Sequence, residues 1–309
     1  MTLETIVPRE VPLGGPRAMT VRRTLPTRSR TLVGPWCFVD HYGPDAVTST
    51  GGMVVPPHPH TGLQTVSWLF EGEIEHRDTT GAHGLVRPGE VNLMTAGHGV
   101  AHSEVSTPST RTLHGVQLWL ALPDASRDVA PAFEHHVPDL VERGGLTLRV
   151  LAGSYAGSTS PVRTYAPTLG VEVVVRPGAR VALELDPAYE HALLVDRGPV
   201  AVDGASLAVG DLGYAAPGGD GLELVDVSGA GARVLLLGGA PFGEEILMWW
   251  NFVARTHDEI VAHRTAWQSR SPRFGDVAGY VGDPSWLPAP ELPHARLRPR
   301  PNAPAGPRT

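Results

Sequence analysis

The sequence predicts an all-β protein, and three observations carry that reading. The 309 residues include 36 glycines and 30 prolines, too many helix-breaking residues for a helical chain. Short runs of β-branched, aromatic and aliphatic residues recur along the chain, punctuated by turn-forming Gly, Pro and Asp, the pattern of a β-barrel or sandwich. No apolar run approaches the roughly 18 residues that a membrane-spanning helix needs.

The elements follow in order. Residues 5–40 are an irregular, Arg-containing lead-in ending in a strand, Trp36-Cys37-Phe38-Val39-Asp40. Strand-like and turn-like pieces then alternate. Residues 65–70 are β-prone and stop at Gly72, residues 74–77 stop near Gly81, and Pro88-Gly89 turns the chain into residues 90–94. Residues 114–122 alternate, with Val116, Leu118, Leu120 and Leu122 on one face and Gln117, Trp119 and Ala121 on the other. Residues 123–145, rich in Pro, Asp and Glu, read as a linker. A second strand series begins at Leu146 and includes a hairpin over residues 200–209 with its turn at Asp203-Gly204. Two β-rich halves of comparable size suggest an internal duplication.

Residues 243–268 differ. Ile246, Trp249, Trp250 and Val253 have helical spacing, which reads as a core helix packed between domains, with a lid or pocket wall as the functional alternative. Thr256-His257-Asp258-Glu259 forms a capping box that starts a helix over residues 257–268. Beyond Asp283 the chain is dense in Pro and Arg without periodicity and reads as a disordered or loosely docked tail.

A net charge of −7 argues against a general nucleic-acid surface. The N-terminal residues lack the apolar stretch of a secretory signal. One cysteine, Cys37, excludes an intramolecular disulfide and fits a reducing, cytoplasmic setting. Between Trp36 and Phe38 its thiol is expected to be buried and inert. Arg22, Arg23, Arg28 and Arg30 read as a solvated basic face. No Gly-rich nucleotide loop or Ser-His-Asp ordering stands out.

The chemistry concentrates in residues 56–104. Pro56-Pro57-His58-Pro59-His60-Thr61-Gly62 opens this stretch, and Met94-Thr95-Ala96-Gly97-His98-Gly99-Val100-Ala101-His102-Ser103-Glu104 closes it. His58 and His60, then His102 and Glu104, are pairs at i and i+2. On extended chain such pairs project to one face. Two pairs on neighbouring strands aim four ligands at one point, and three imidazoles with a carboxylate suit a borderline first-row metal better than Ca or Mg. His98 and His114 are candidates for the surrounding layer.

The run His58-Pro59-His60-Thr61-Gly62, Glu71-Gly72, His76-Arg77-Asp78, Gly81, Gly89 and then residues 94–97 through His102-Ser103-Glu104 resembles the pirin family of the cupin superfamily. Val150-Leu151-Ala152-Gly153 with residues 157–161 is similar to the segment opening that family's second barrel, and Met248-Trp249-Trp250-Asn251-Phe252-Val253 to a bacterial branch. The resemblance covers about residues 17–268. It implies two tandem cupin (jelly-roll) barrels with a short C-terminal helix: a metal-binding N-terminal cupin over 1–135, a metal-free cupin over 136–275 and a Pro/Arg-rich tail over 276–309. Its metal ligands would be His58, His60, His102 and Glu104. An ordinary cupin places its glutamate soon after His-x-His. Residues 62–68 hold none, and Glu104 takes that role as in pirins. The second half lacks His-x-His around His191, and residues 210–221 contain no histidine.

The family further implies one divalent metal, iron(II) first, with Mn, Co, Ni, Cu or Zn as alternatives. Some pirins resemble quercetin 2,3-dioxygenases, which open a flavonol ring and release carbon monoxide. By that analogy the substrate is an aromatic enol or phenol and Glu104 doubles as general base. The competing expectation is a non-catalytic, iron-dependent redox sensor that binds a protein partner. A monomer is expected, with no direct contact to nucleic acid or membrane.

Overall fold

The computed structural model describes residues 3–12 and 19–302. The first thirteen strands are β1 (Glu4–Ile6), β2 (Arg9–Pro12), β3 (Thr20–Leu25), β4 (Trp36–Ala46), β5 (Val54–His60), β6 (Leu63–Glu71), β7 (Ile74–Asp78), β8 (His83–Val86), β9 (Val91–Thr95), β10 (Val100–Ser106), β11 (Thr112–Ala121), β12 (Ala132–His136) and β13 (Val141–Arg143). The remainder are β14 (Leu146–Ala152), β15 (Ser154–Tyr155), β16 (Ser158–Thr159), β17 (Thr168–Val175), β18 (Arg180–Glu184), β19 (Glu190–Arg197), β20 (Val200–Val202), β21 (Ala205–Leu207), β22 (Leu212–Ala215), β23 (Gly221–Asp226), β24 (Ala232–Gly239), β25 (Leu247–Trp249) and β26 (Phe252–Ala254). One helical turn, α1 (Val47–Thr50), follows β4, and α2 (His257–Gln268) closes the series. No helix among the described residues is long and apolar enough to cross a membrane.

The expected architecture is present: two tandem all-β cupin barrels and a short C-terminal helix. In the first, a seven-stranded sheet ordered β12-β9-β6-β11-β4-β3-β2 faces a four-stranded sheet ordered β5-β10-β7-β8. The second repeats the plan with β1-β22-β19-β24-β17-β14-β13 against β18-β23-β20-β21. Alternating side chains explain the stacking. On β11, Val116, Leu118 and Leu120 are buried in a cluster that also holds Trp36, Trp68, Ala192, Leu194, Leu235 and Leu237. That cluster joins the two seven-stranded sheets, and each large apolar side chain buried there contributes about 1.5–3 kcal/mol. The Trp36 indole N–H finds the Leu169 and Gly238 carbonyls at 3.0 and 3.1 Å, so its polar edge costs nothing in the core.

The ends of the chain cross over. β1 pairs with β22 of the second barrel, while the segment after β24 packs onto the first. The hairpin at residues 200–207 and helix α2 form as the sequence predicts. Thr256 accepts from the Glu259 backbone N–H and the Glu259 carboxylate accepts from that of Thr256, completing the capping box.

Three expectations are corrected. Residues 246–253 are not helical: β25 and β26 form a hairpin, with Trp250 at φ 52° in its turn. Sheet pairing and docking against Thr61 overrode a 3.6-residue spacing that four residues could not enforce. The linker region contains two strands: β12 extends the first barrel beside β9, and β13 extends the second beside β14. Of its two expected alternatives, the tail takes the docked one through residue 302. Leu287 N–H donates to the Pro57 carbonyl at 2.8 Å, Arg300 N–H to that of Ile246 at 3.0 Å, and the Asn302 side chain bonds the Thr31 and Leu32 backbone. A Pro-rich segment has little backbone entropy to lose, so a few such bonds hold it without periodicity. The arginine run also differs from a solvated face. Arg23 is bidentate to Asp40 at 2.7 Å, buried Arg30 meets Glu4 and stacks on Tyr214, and Arg22 donates to the Gly43 carbonyl; Arg28 alone is exposed. Cys37 is buried, and burial pushes its thiol far above its ordinary range.

Candidate metal centre

The four-stranded sheet of the first barrel builds the site. β5 and β10 pair antiparallel with His58 opposite His102 and Val100 opposite His60. Between His102 and Glu104 the register shifts: Glu104 faces Val55, so Pro56 and Pro57 together oppose Ser103. Proline has no N–H to lose, and a bulge is where a strand tolerates it. On the other edge of β10, β7 sets Asp78 opposite His102 and His76 opposite Glu104.

The three predicted histidines converge. Their ring centroids lie 4.3–5.0 Å apart, and His60 Nε2 is 3.1 Å from His102 Nε2. One ligand atom from each lies within 4.8 Å of the others, and a second trio, His76, His102 and Glu104, meets the same measure. All are nearly fully buried. Burial holds His58 near a pKa of about 4 and holds His60 and His102 well below the ordinary histidine range, with the neighbouring imidazoles adding to it. The rings are therefore neutral and each keeps a lone pair, the form a metal requires. His58 Nδ1 is tied to the Pro56 carbonyl at 2.9 Å, which leaves Nε2 free. His60 Nδ1 has no hydrogen-bond partner of good geometry, although the Asn251 backbone favours its proton. Burial raises the Glu104 carboxyl, against the neighbouring His76 ring and the Ser67 hydroxyl at 3.2 Å, which lower it.

His58, His60, His102 and Glu104 line a cavity of about 380 Å³, within the range of small-molecule sites. Phe38 and Trp119 stack at 4.0 Å on one wall, with the Arg23 guanidinium over Phe38 and His60 edge-on to Trp119. Trp250 and Asn251 from the hairpin, and Leu287, Pro288 and Pro290 from the tail, complete it. The hairpin is the wall that the sequence offered as its lesser alternative. Gly62, at φ 67°, makes the docking fit: a Cβ there would lie 2.2 Å from the Val253 carbonyl oxygen. Gly97 is in the same position, 1.9 Å from that of Val129.

The sequence missed the part of His76 and Asp78, although their i, i+2 spacing was the available signal. It also misplaced His98 and His114. The His98 side chain is exposed. His114 joins His41 and Asp196 in a buried cluster at the junction of the barrels, with Asp196 contributed by the second. Arg22 Nη2 lies 3.3 Å from His41 and Arg233 Nε 2.6 Å from Asp196, and two guanidiniums beside one carboxylate oppose a cation there.

The chain matches the Pirin family over residues 18–120 and the Pirin C-terminal cupin domain over residues 170–275. A Pseudomonas aeruginosa protein provisionally named quercetin 2,3-dioxygenase is 47% identical over 294 residues, 94% of this chain and 91% of that protein. This chain belongs to the pirin family. A pirin-like protein of Caulobacter vibrioides is 36% identical, over 83% of this pirin and 91% of its own length. The crystal structure of quercetin 2,3-dioxygenase from Acinetobacter baumannii superposes with a TM-score of 0.90 at 39% identity, covering 96% of this pirin and 97% of that chain.

Proposed function

We propose that this pirin is a metal-dependent dioxygenase acting on a flavonol or a similar aromatic enol. One observation carries the reading: three buried histidines cluster, and buried Glu104, which clusters with His102 and His76, lines the same cavity, walled by a stacked aromatic pair. His58, His60, His102 and Glu104 are the proposed ligands of one divalent metal, with iron(II) the first candidate. The donor set fits, since three imidazole nitrogens and a carboxylate suit borderline first-row ions. A bound metal of this kind supplies Lewis acidity and one-electron chemistry toward dioxygen.

The chain's own residues supply the remainder. Phe38 and Trp119 present a flat face against which a planar ring packs. Trp250, Asn251 and the tail around Leu287 limit access of water. Glu104, whose carboxyl burial makes more basic, takes the enol proton on a carboxylate oxygen. The names of the Pseudomonas and Acinetobacter relatives support the flavonol as the first substrate to try.

The test is anaerobic reconstitution with iron(II), followed by oxygen uptake with quercetin and a small flavonol panel. Uptake with release of carbon monoxide is expected. His60→Ala should lose metal and turnover together, and Glu104→Gln should lose turnover. A fully metallated protein that consumes no oxygen with any member would turn the reading toward a redox-dependent binding protein.

A further inference from the structure

Three neighbouring strands each carry a buried polar pair at i and i+2: His58 and His60 on β5, His102 and Glu104 on β10, His76 and Asp78 on β7. The first two pairs are the proposed ligands. The third has a different geometry. His76 Nδ1 lies 3.4 Å from His102 Nδ1, and His76 Nε2 lies 3.0 Å from Asp78 Oδ2. Asp78 Oδ1 is already committed: it accepts from Thr80 N–H at 2.8 Å, the Thr80 hydroxyl at 2.6 Å and Ala82 N–H at 3.2 Å. Phe133 stacks on His76 at 4.6 Å and holds its ring plane.

The proton order along this row follows from donor and acceptor inventory. The Thr80 and Ala82 donors fix which oxygen Asp78 turns toward His76, and a carboxylate oxygen only accepts. His76 must then carry its proton on Nε2. In the state with one proton on each ring, His76 Nδ1 is a lone pair and His102 offers a proton from its own Nδ1. The His102 lone pair is thereby on Nε2, the nitrogen 3.1 Å from His60 Nε2. We propose that His76 and Asp78 are positioning residues that set the His102 tautomer, and hence its metal-binding nitrogen, through a second imidazole. Metal-bound histidines commonly donate their far N–H directly to a carboxylate or carbonyl; here an intervening ring extends that link, as the Pro56 carbonyl does directly for His58. The inference rests on the proposed metal site.

Cobalt(II) binding to the apo form of the full chain tests it, reading affinity and the visible ligand-field bands, with folding checked by circular dichroism and melting. His76→Asn places its amide oxygen where Nδ1 lies, keeps an acceptor for His102 Nδ1–H and should bind close to wild type. His76→Leu removes the acceptor and should bind about 10–100-fold more weakly with altered bands. Asp78→Asn is nearly isosteric. Its oxygen stays with the Thr80 and Ala82 donors, its NH2 faces His76 Nε2, and the proton order reverses, so a similar loss is expected. Should Asp78→Asn fail to fold, the two His76 variants decide alone. Wild-type affinity and bands in His76→Leu, or equal losses in His76→Asn and His76→Leu, would overturn the proposal. A His58→Ala control separates the two readings: cobalt bound there as tightly as in wild type removes the metal site and the proposal with it, whereas loss in His58→Ala without loss in His76→Leu removes the positioning row alone.

Discussion

Asp196 Oδ1, on β19 of the second barrel, accepts from His114 Nε2, on β11 of the first, at 2.6 Å. The same oxygen meets His41 at 2.9 Å, and Arg233 reaches Oδ2 at 2.6 Å. This cluster adds a charged anchor to the apolar junction between the seven-stranded sheets. Asp196→Ala leaves buried His41 and His114 without their carboxylate and half-buried Arg233 with Glu172 at 4.0 Å as its remaining ion-pair partner, and should cost about 1–3 kcal/mol, measured by urea unfolding. Burial alone would raise the Asp196 carboxyl, but hydrogen bonds from His114 and His41 outweigh it and hold it well below the carboxylate range. Its stabilisation is therefore fully present above the ordinary aspartate range and fades as pH falls below it. That acid limb should be missing from Asp196→Ala.

A second pH effect has its own origin. Burial lowers His41, and it lowers His191 from 6.5 to about 4. The folded chain thus binds fewer protons than the unfolded chain below the ordinary histidine range, so stability falls as pH drops from about 6.5 toward 4. For His191 the shift corresponds to roughly 3 kcal/mol. His191 Nε2 has no hydrogen-bond partner, so His191→Leu gives up no bond there. Melting temperatures between pH 7 and 4.5 should decline less steeply in His191→Leu than in wild type.

The tail depends on Trp267. Its ring is 2% exposed, packs edge-on to Phe274 and Trp286, and its indole N–H donates to the Leu287 carbonyl at 2.8 Å. Trp267→Ala should cost about 3–5 kcal/mol and loosen the segment around Leu287 that walls the cavity. Limited proteolysis should then cut after residue 283 well before the barrels are attacked.

Trp250 sits at φ 52°, a backbone region that costs a non-glycine residue roughly 1–3 kcal/mol, yet its side chain lines the cavity. Trp250→Gly relieves the backbone and opens the wall. It should melt no lower than wild type while binding flavonols more weakly, measured by ligand titration of the metal-loaded protein.

Much of the fold was legible because its signals are local. Alternation along residues 114–122, the Asp203-Gly204 turn and the Thr256 to Glu259 capping box each depend on neighbours within a few residues. The paired ligand candidates were legible for the same reason: i and i+2 on extended chain share a face wherever the strand lies. Tertiary structure decided what those faces meet. It set β7 beside β10, so that His76 and Asp78 joined the histidines. It carried His114 to the barrel junction, turned a helical spacing at Trp249 and Trp250 into a hairpin, and laid an aperiodic tail across Pro57. Strand order in a sheet and the docking of Pro-rich chain are fixed by contacts between residues far apart in sequence, and periodicity within a short window carries no record of them.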